Sequence, residues 1–170
     1  YADLAPVTQP GVVPVTIARA LGLPDQSGLS TTETLLRYLR GRQLLLVLDN
    51  CEHLLEACAG LVNEMLAGCL KLTILATSRE PLMVSGEVNW QVPSLSLEDE
   101  AVALFADRAR LARPGFQSTA THAATVTEIC RRLDGMPLAI ELAAARVRAL
   151  TLEEILDSLH DRFRLLTGGG

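Results

Sequence analysis

The chain has 170 residues, 49% of them apolar and 21% charged, which is enough to bury one substantial core or two small ones. A formal net charge of −5 without a basic run leaves no electrostatic footprint for nucleic acid, so this segment is expected to make no direct nucleic-acid contact. No apolar stretch approaches the roughly 20 residues of a bilayer-spanning helix, and no basic-then-apolar leader opens the chain, so we expect a cytoplasmic protein without membrane contact.

Tyr1 to Val7 reads as the end of a strand that runs into a turn at Thr8-Gln9-Pro10-Gly11. Val13, Ile17 and Leu21 then share one helical face, with Gly22 where a C-terminal cap is expected. Ser30 and Glu33 have the spacing of a reciprocal helix cap, and Leu35, Leu36 and Leu39 form the apolar stripe of a helix ending near Gly41. Leu44-Leu45-Leu46-Val47-Leu48 is an unbroken apolar run closed by Asp49 and Asn50, the pattern of a strand buried on both faces of a parallel sheet. A helix carrying Leu54, Cys58, Leu61 and Met65 follows. Leu72-Thr73-Ile74-Leu75-Ala76 then repeats the buried-strand pattern and closes on Thr77-Ser78-Arg79. Two polar strand ends separated by one crossover helix fall on the same edge of a parallel sheet, where open α/β sheets bind ligands.

Val88 to Val92 reads as a short strand, and after Pro93 the pattern is helical throughout, which divides the chain into an α/β portion, 1–93, and a small all-α bundle, 94–170. Ser96 with Asp99 has the cap spacing for a helix that turns Ala101, Leu104, Phe105 and Ala109 inward. Val126, Ile129, Cys130 and Leu133 mark a second helix. Gly135-Met136-Pro137 ends it and starts a third, and Thr151 with Glu154 opens a fourth. The four cysteines, Cys51, Cys58, Cys69 and Cys130, show no CxxC pairing and suggest reduced, partly buried thiols. One helical turn does not easily converge Cys51, His53 and Cys58 on a metal, and a fourth ligand is missing.

At the edge of a nucleotide-binding sheet, an aspartate in the position of Asp49 holds Mg²⁺ directly or through water, because this hard cation takes oxygen ligands and keeps much of its hydration. Asn50 cannot act as a base. Glu52 is either the acid that orients an attacking water or a helix-start acid favoured by the dipole. The hydroxyls of Thr77 and Ser78 and the guanidinium of Arg79 could meet a terminal phosphate; the other reading of Arg79 is an ion pair with Glu80 or with an acid of the helical part.

Four ordered motifs carry a resemblance that covers nearly the whole chain: LLLVLDNCEHLLE, ILATSRE, VPSLSLEDEAVALF and CRRLDGMPLAIELAAAR. Together they resemble the STAND class of P-loop signal-transduction NTPases, close to the NB-ARC domain, in its bacterial branch of large transcriptional regulators. The resemblance implies a partial P-loop sheet with flanking helices followed by the helical bundle, ATP or ADP with Mg²⁺ as ligand, and other domains of the same chain as partners. Residue by residue it implies Mg²⁺ at Asp49 beside Asn50, phosphate sensing at Arg79 with Thr77 and Ser78, adenine-side contacts around Pro137 and Leu138, and Gly135 as a further nucleotide-binding residue. The implied function is a switch in which ADP holds the two portions together and ATP opens them. A nucleotide-independent interaction module and a motor ATPase of the related AAA+ group are the rivals.

Two departures matter. Asn50 stands where the family often has a second acid, which implies slow or absent hydrolysis. The phosphate-binding GxxxxGK[ST] loop is missing: Lys71 is the only lysine, and Leu72 follows it. Both chain ends read as cut, which places that loop upstream of Tyr1. The family's loop-feeding strand lies between the sensor strand and the next one, so its absence implies an unpaired Val88–Val92 strand and self-association of the fragment.

Overall fold

The computed structural model describes residues 1–26, 28–117 and 120–159. The chain is mixed α/β and divides into two compact units, Tyr1–Trp90 and Gln91–Gly170.

In the first unit, β1 (Ala2–Asp3), β2 (Leu44–Asp49) and β3 (Leu72–Ala76) form a parallel sheet in that spatial order. The register sets Asp3 beside Asp49 and Leu48 beside Ala76. Between β1 and β2 the chain makes α1 (Val13–Ala20) and α2 (Thr31–Leu39), and α3 (Leu55–Gly68) connects β2 to β3. The predicted first strand shortens to two residues because Leu4 already turns: its N–H donates to the Asp49 carbonyl, and its own carbonyl takes the Val7 N–H. Pro10 sits at the start of a 3-10 turn that runs into α1, where Val13 and Ile17 are buried as their spacing requires. Gly22, just beyond α1, has φ +68°, which suits a helix end. Ser30 and Glu33 form the reciprocal cap of α2.

The expectation of strands buried on both faces is corrected. Leu46 and Leu48 of β2 are buried, whereas Leu45 is 58% exposed, and on β3 Leu75 is 54% exposed. Strands that advance β1, β2, β3 through right-handed crossovers place every connecting helix on one face of the sheet. Leu46, Leu48 and Leu72 pack there with Leu35 and Leu39 of α2 and with Cys58, Leu61, Val62 and Met65 of α3. Leu45 and Leu75, on the opposite face, are left exposed among the described residues.

A second correction concerns Val88–Val92, which forms no strand. Val88, Trp90 and Val92 are 91%, 84% and 82% exposed. Alternation of apolar and polar residues supplies the side chains of a strand, but without a neighbouring strand's N–H and C=O groups there is no ladder for it to join. Just upstream the Glu87 carboxylate accepts from the N–H groups of Leu82, Met83 and Val84, at 3.0, 2.7 and 3.3 Å.

The second unit is helical: α4 (Glu100–Ala112), α5 (Ala120–Arg132), α6 (Pro137–Ala145) and α7 (Leu152–Ser158). Its core joins Ala101, Phe105 and Ala109 of α4 to Val126, Ile129 and Cys130 of α5, Ile140, Ala143 and Ala144 of α6 and Ile155 of α7. Alanines on both α4 and α6 let the two axes approach closely. Leu104 is only partly buried and packs at the margin of this core. The cap of α4 differs from expectation by one residue: Ser96 pairs reciprocally with Glu100, and not with Asp99. Thr151 and Glu154 cap α7 as their spacing predicts. Among the described residues no helix is long and apolar enough to cross a membrane.

Candidate functional site

The carboxyl edge of the sheet is where β2 and β3 finish side by side. β2 stops at Asp49 because Asn50 turns the chain with φ 64°, a left-handed conformation that asparagine tolerates better than most residues. Three hydrogen bonds tie the two strand ends together. The Thr77 N–H donates to the Leu48 carbonyl at 2.9 Å and the Cys51 N–H to the Thr77 carbonyl at 3.0 Å. The Asn50 N–H donates to the Thr77 hydroxyl at 3.0 Å.

That hydroxyl in turn donates to one oxygen of Asp49. The other oxygen accepts from the Tyr1 phenol at 2.6 Å. The Thr77 hydroxyl, then the Tyr1 phenol, hold the Asp49 carboxyl below the usual carboxylate range against the cost of desolvation, and the Asn50 N–H adds a lesser contribution. The reciprocal effect pushes the Tyr1 phenol up to about 12, chiefly through its hydrogen bond to Asp49. Asp49 is therefore an ionised, half-buried carboxylate held at the strand end by two hydroxyl groups.

Arg79 lies on the same edge. Its Nε is 3.1 Å from Glu52 Oε1, with the arginine side chain 83% exposed and the glutamate 15%. The ion-pair partner is Glu52, which differs from the Glu80 or helical-part acid expected for the ion-pair reading. An ion pair with one member so exposed contributes about 0–1 kcal/mol and is readily exchanged. Ser78 points its hydroxyl oxygen at the Glu80 N–H, 3.2 Å away. Asp49, Asn50, Glu52, Thr77, Ser78 and Arg79 thus all lie on one edge of one sheet.

Gly135, Pro137 and Leu138 lie in the second unit. Gly135 has φ +66°, and a Cβ there would stand 2.4 Å from the Leu95 carbonyl oxygen. The Leu95 N–H donates to the Gly135 carbonyl at 3.0 Å, so glycine is what allows this close backbone crossing. Pro137 opens α6, and Leu138, on its first turn, is 67% exposed.

Tyr1 was not anticipated in the site. Reading Tyr1 as part of a strand end carries no information on which acceptor its phenol reaches. His53 turns away from its neighbouring cysteines to the Val7 carbonyl, 2.8 Å from Nε2. Among the described residues no group of three His, Cys, Asp or Glu side chains is placed to hold a metal ion. The ionised Asp49 carboxylate at this edge does fit a cation that keeps its own water and takes further ligands from a bound phosphate, as Mg²⁺ does. It does not fit an all-protein metal cage.

No protein-family profile matches the chain. Over 99% of its length it is 61% identical to a Mycobacterium tuberculosis protein named "Putative HTH-type transcriptional regulator", and to a Mycobacterium bovis protein of the same name, each of which it spans for 19%. It is also 54% identical, over 98% of its length, to an uncharacterized protein of Mycobacterium tuberculosis, of which it spans 42%. The chain is similar to a segment of larger bacterial proteins. It spans less than half the length of each of these relatives.

Proposed function

We propose that the chain is a segment of an ATP/ADP-operated switch within a cytoplasmic bacterial transcriptional regulator, of the STAND type that its motifs resemble. The observation that carries this reading is the convergence of Asp49, Thr77 and Arg79 from two parallel strands on one carboxyl edge. In that reading Asp49 orients Mg²⁺ through its ionised carboxylate, with Thr77 and Tyr1 fixing the carboxylate's direction. Mg²⁺, when bound, supplies neutralisation of phosphate charge. Arg79 exchanges Glu52 for the terminal phosphate, which is the group that distinguishes ATP from ADP. A ligand bound equally by two states shifts neither, so this exchange is what gives the switch its direction.

Asn50 offers no base, and Glu52 begins in the grip of Arg79, so the reading is of nucleotide exchange with slow or absent hydrolysis. Pro137 and Leu138, with Gly135, are the adenine-side candidates that the motif resemblance names. The phosphate cradle itself comes from residues outside this sequence, whose single lysine is Lys71. The strand feeding that cradle would take the free edge of β3, and a chain lacking it would self-associate through this edge.

The test is Mg²⁺-dependent binding of fluorescent ATP and ADP analogues to the full-length regulator carrying this segment. Asp49→Ala should weaken both by about tenfold, an effect of about 1.4 kcal/mol. Arg79→Ala should weaken ATP and spare ADP. Unchanged affinities in Asp49→Ala would remove the metal role, and no nucleotide binding by the parent would remove the reading. A second reading, a nucleotide-independent interaction module, is favoured by the exposed Leu45 and Leu75 and by the two hydroxyl donors that already occupy Asp49. It predicts no nucleotide binding and a loss of partner binding in Leu75→Ser.

A further inference from the structure

Val88–Val92 straddles the boundary between the two units, and Val88, Trp90 and Val92 pack against neither core. Among the described residues, no backbone or side-chain group of this segment takes part in a hydrogen bond, ion pair or ring contact. Its sequence is nevertheless that of a strand. Val88, Trp90 and Val92 fall on one side of an extended backbone, and Asn89 and Gln91 on the other. No proline interrupts it before Pro93, so every residue keeps an N–H to donate.

The first unit holds the matching half. Among the described residues β3 has a neighbouring strand on one side only, β2. Its outer edge therefore presents unpaired N–H and C=O groups. Next to that edge Leu75, with Leu45 on β2, is more than half exposed. The chain's own Val88–Val92 does not take the edge. Thr77–Glu87 is shorter than the roughly dozen residues that a parallel return needs. The Glu87 carboxylate also closes the latter part of that connection into a turn, through the N–H groups of Leu82, Met83 and Val84.

We propose that Val88–Val92 adds as a strand to the β3 edge of a second copy of this chain. The inference rests on the open β3 edge of the switch reading and not on its nucleotide. A second copy is the occupant because one chain carries both halves, a strand without an edge and an edge without a strand. An added strand gains main-chain hydrogen bonds along the edge, and its alternate side chains set the preference. The Trp90 row then lies beside Leu75 and Leu45, which joins apolar side chains that are separate in the single copy. Each copy gives one strand and receives one, so the contact is the same in both directions and association closes at two copies.

Sedimentation velocity of the chain over a concentration series measures the assembly, and Trp90, the single tryptophan, reports the contact. A monomer–dimer equilibrium is expected, with Trp90 emission moving to shorter wavelength as the dimer forms. Gln91→Pro removes an N–H that has no acceptor in the single copy, and it should leave a monomer. Leu75→Lys places a charge beside the receiving edge and should do the same. Mixed together, the two variants should form a heterodimer through the one intact strand and the one intact edge. A chain that stays monomeric at every concentration, a dimer whose Trp90 emission does not move, or a Gln91→Pro variant that dimerises like the wild type would overturn the proposal. Mass and emission of the wild-type chain decide even if a variant fails to fold. Nucleotide binding by the full-length regulator is a separate measurement, so either reading can fail alone.

Discussion

The two units solve the burial problem differently. The helical unit wraps α4, α5, α6 and α7 around one core, with Phe105, Ile129, Ile140 and Ile155 at 0% exposure from four different elements. The sheet unit buries one face of β2 and β3 under its helices and leaves Leu45 and Leu75 in solvent on the other. A helix presents one stripe and needs one neighbour, whereas a strand presents two faces and a parallel sheet needs two layers. The same apolar density per residue therefore closes a bundle and leaves a sheet half covered.

The sharpest break of this comparison is a truncation in each environment. Phe105→Ala empties the centre of the helical core and should cost about 3–5 kcal/mol. Gly135→Ala belongs in the same class, because the added Cβ meets the Leu95 carbonyl at 2.4 Å in a backbone that already has φ +66°. On β2 the two faces should separate: Leu48→Ala costs about 2–5 kcal/mol, whereas Leu45→Ala stays within about 0.5 kcal/mol. Urea titration of the variants measures all of these. An equal loss for Leu45→Ala and Leu48→Ala would mean that the second face is covered after all.

A smaller effect should be indifferent to the comparison. Ser30→Ala in the sheet unit and Thr151→Ala in the helical unit each remove a capping hydroxyl from a reciprocal box, and each should cost about 1 kcal/mol. A cap acts on its own helix's first turn, so the surrounding architecture should not change its size.

These caps also show which parts of the fold were legible in the sequence. Features set within a few residues could be read directly: both caps, the break at Gly135-Met136-Pro137, and the parallel strand ends that bring Asp49 beside Thr77. The Ser96 cap slipped by one position, to Glu100, because an acid stands at both 99 and 100 and only the backbone geometry chooses. Features that depend on what lies across space could not be read. An all-apolar run such as Leu44–Leu48 looks the same whether one face or two are covered, and the Val88–Val92 pattern is strand-like without a partner to make it a strand. The reach of Tyr1 to Asp49 and of Arg79 to Glu52 depends on side-chain rotamers that no spacing rule encodes.

The smallest expected effect tests that last contact. The Tyr1 phenol is pushed up to about 12 from an ordinary value near 10 because its proton is held between it and ionised Asp49. A group whose folded pKa is raised stabilises the fold while it is protonated, so this contribution is fully present below about pH 10 and is lost as pH rises through about 12. Asp49 runs the other way: its depressed carboxyl contributes above its unfolded value near 3.9 and loses that contribution as acid protonates it. With Tyr38→Phe removing the only other tyrosine, phenolate absorbance follows Tyr1 alone. Asp49→Asn keeps an acceptor but removes the charge, so the midpoint should fall back toward 10. A midpoint near 10 before that substitution would show that the phenol does not rest on Asp49, leaving Thr77 as the carboxylate's side-chain donor.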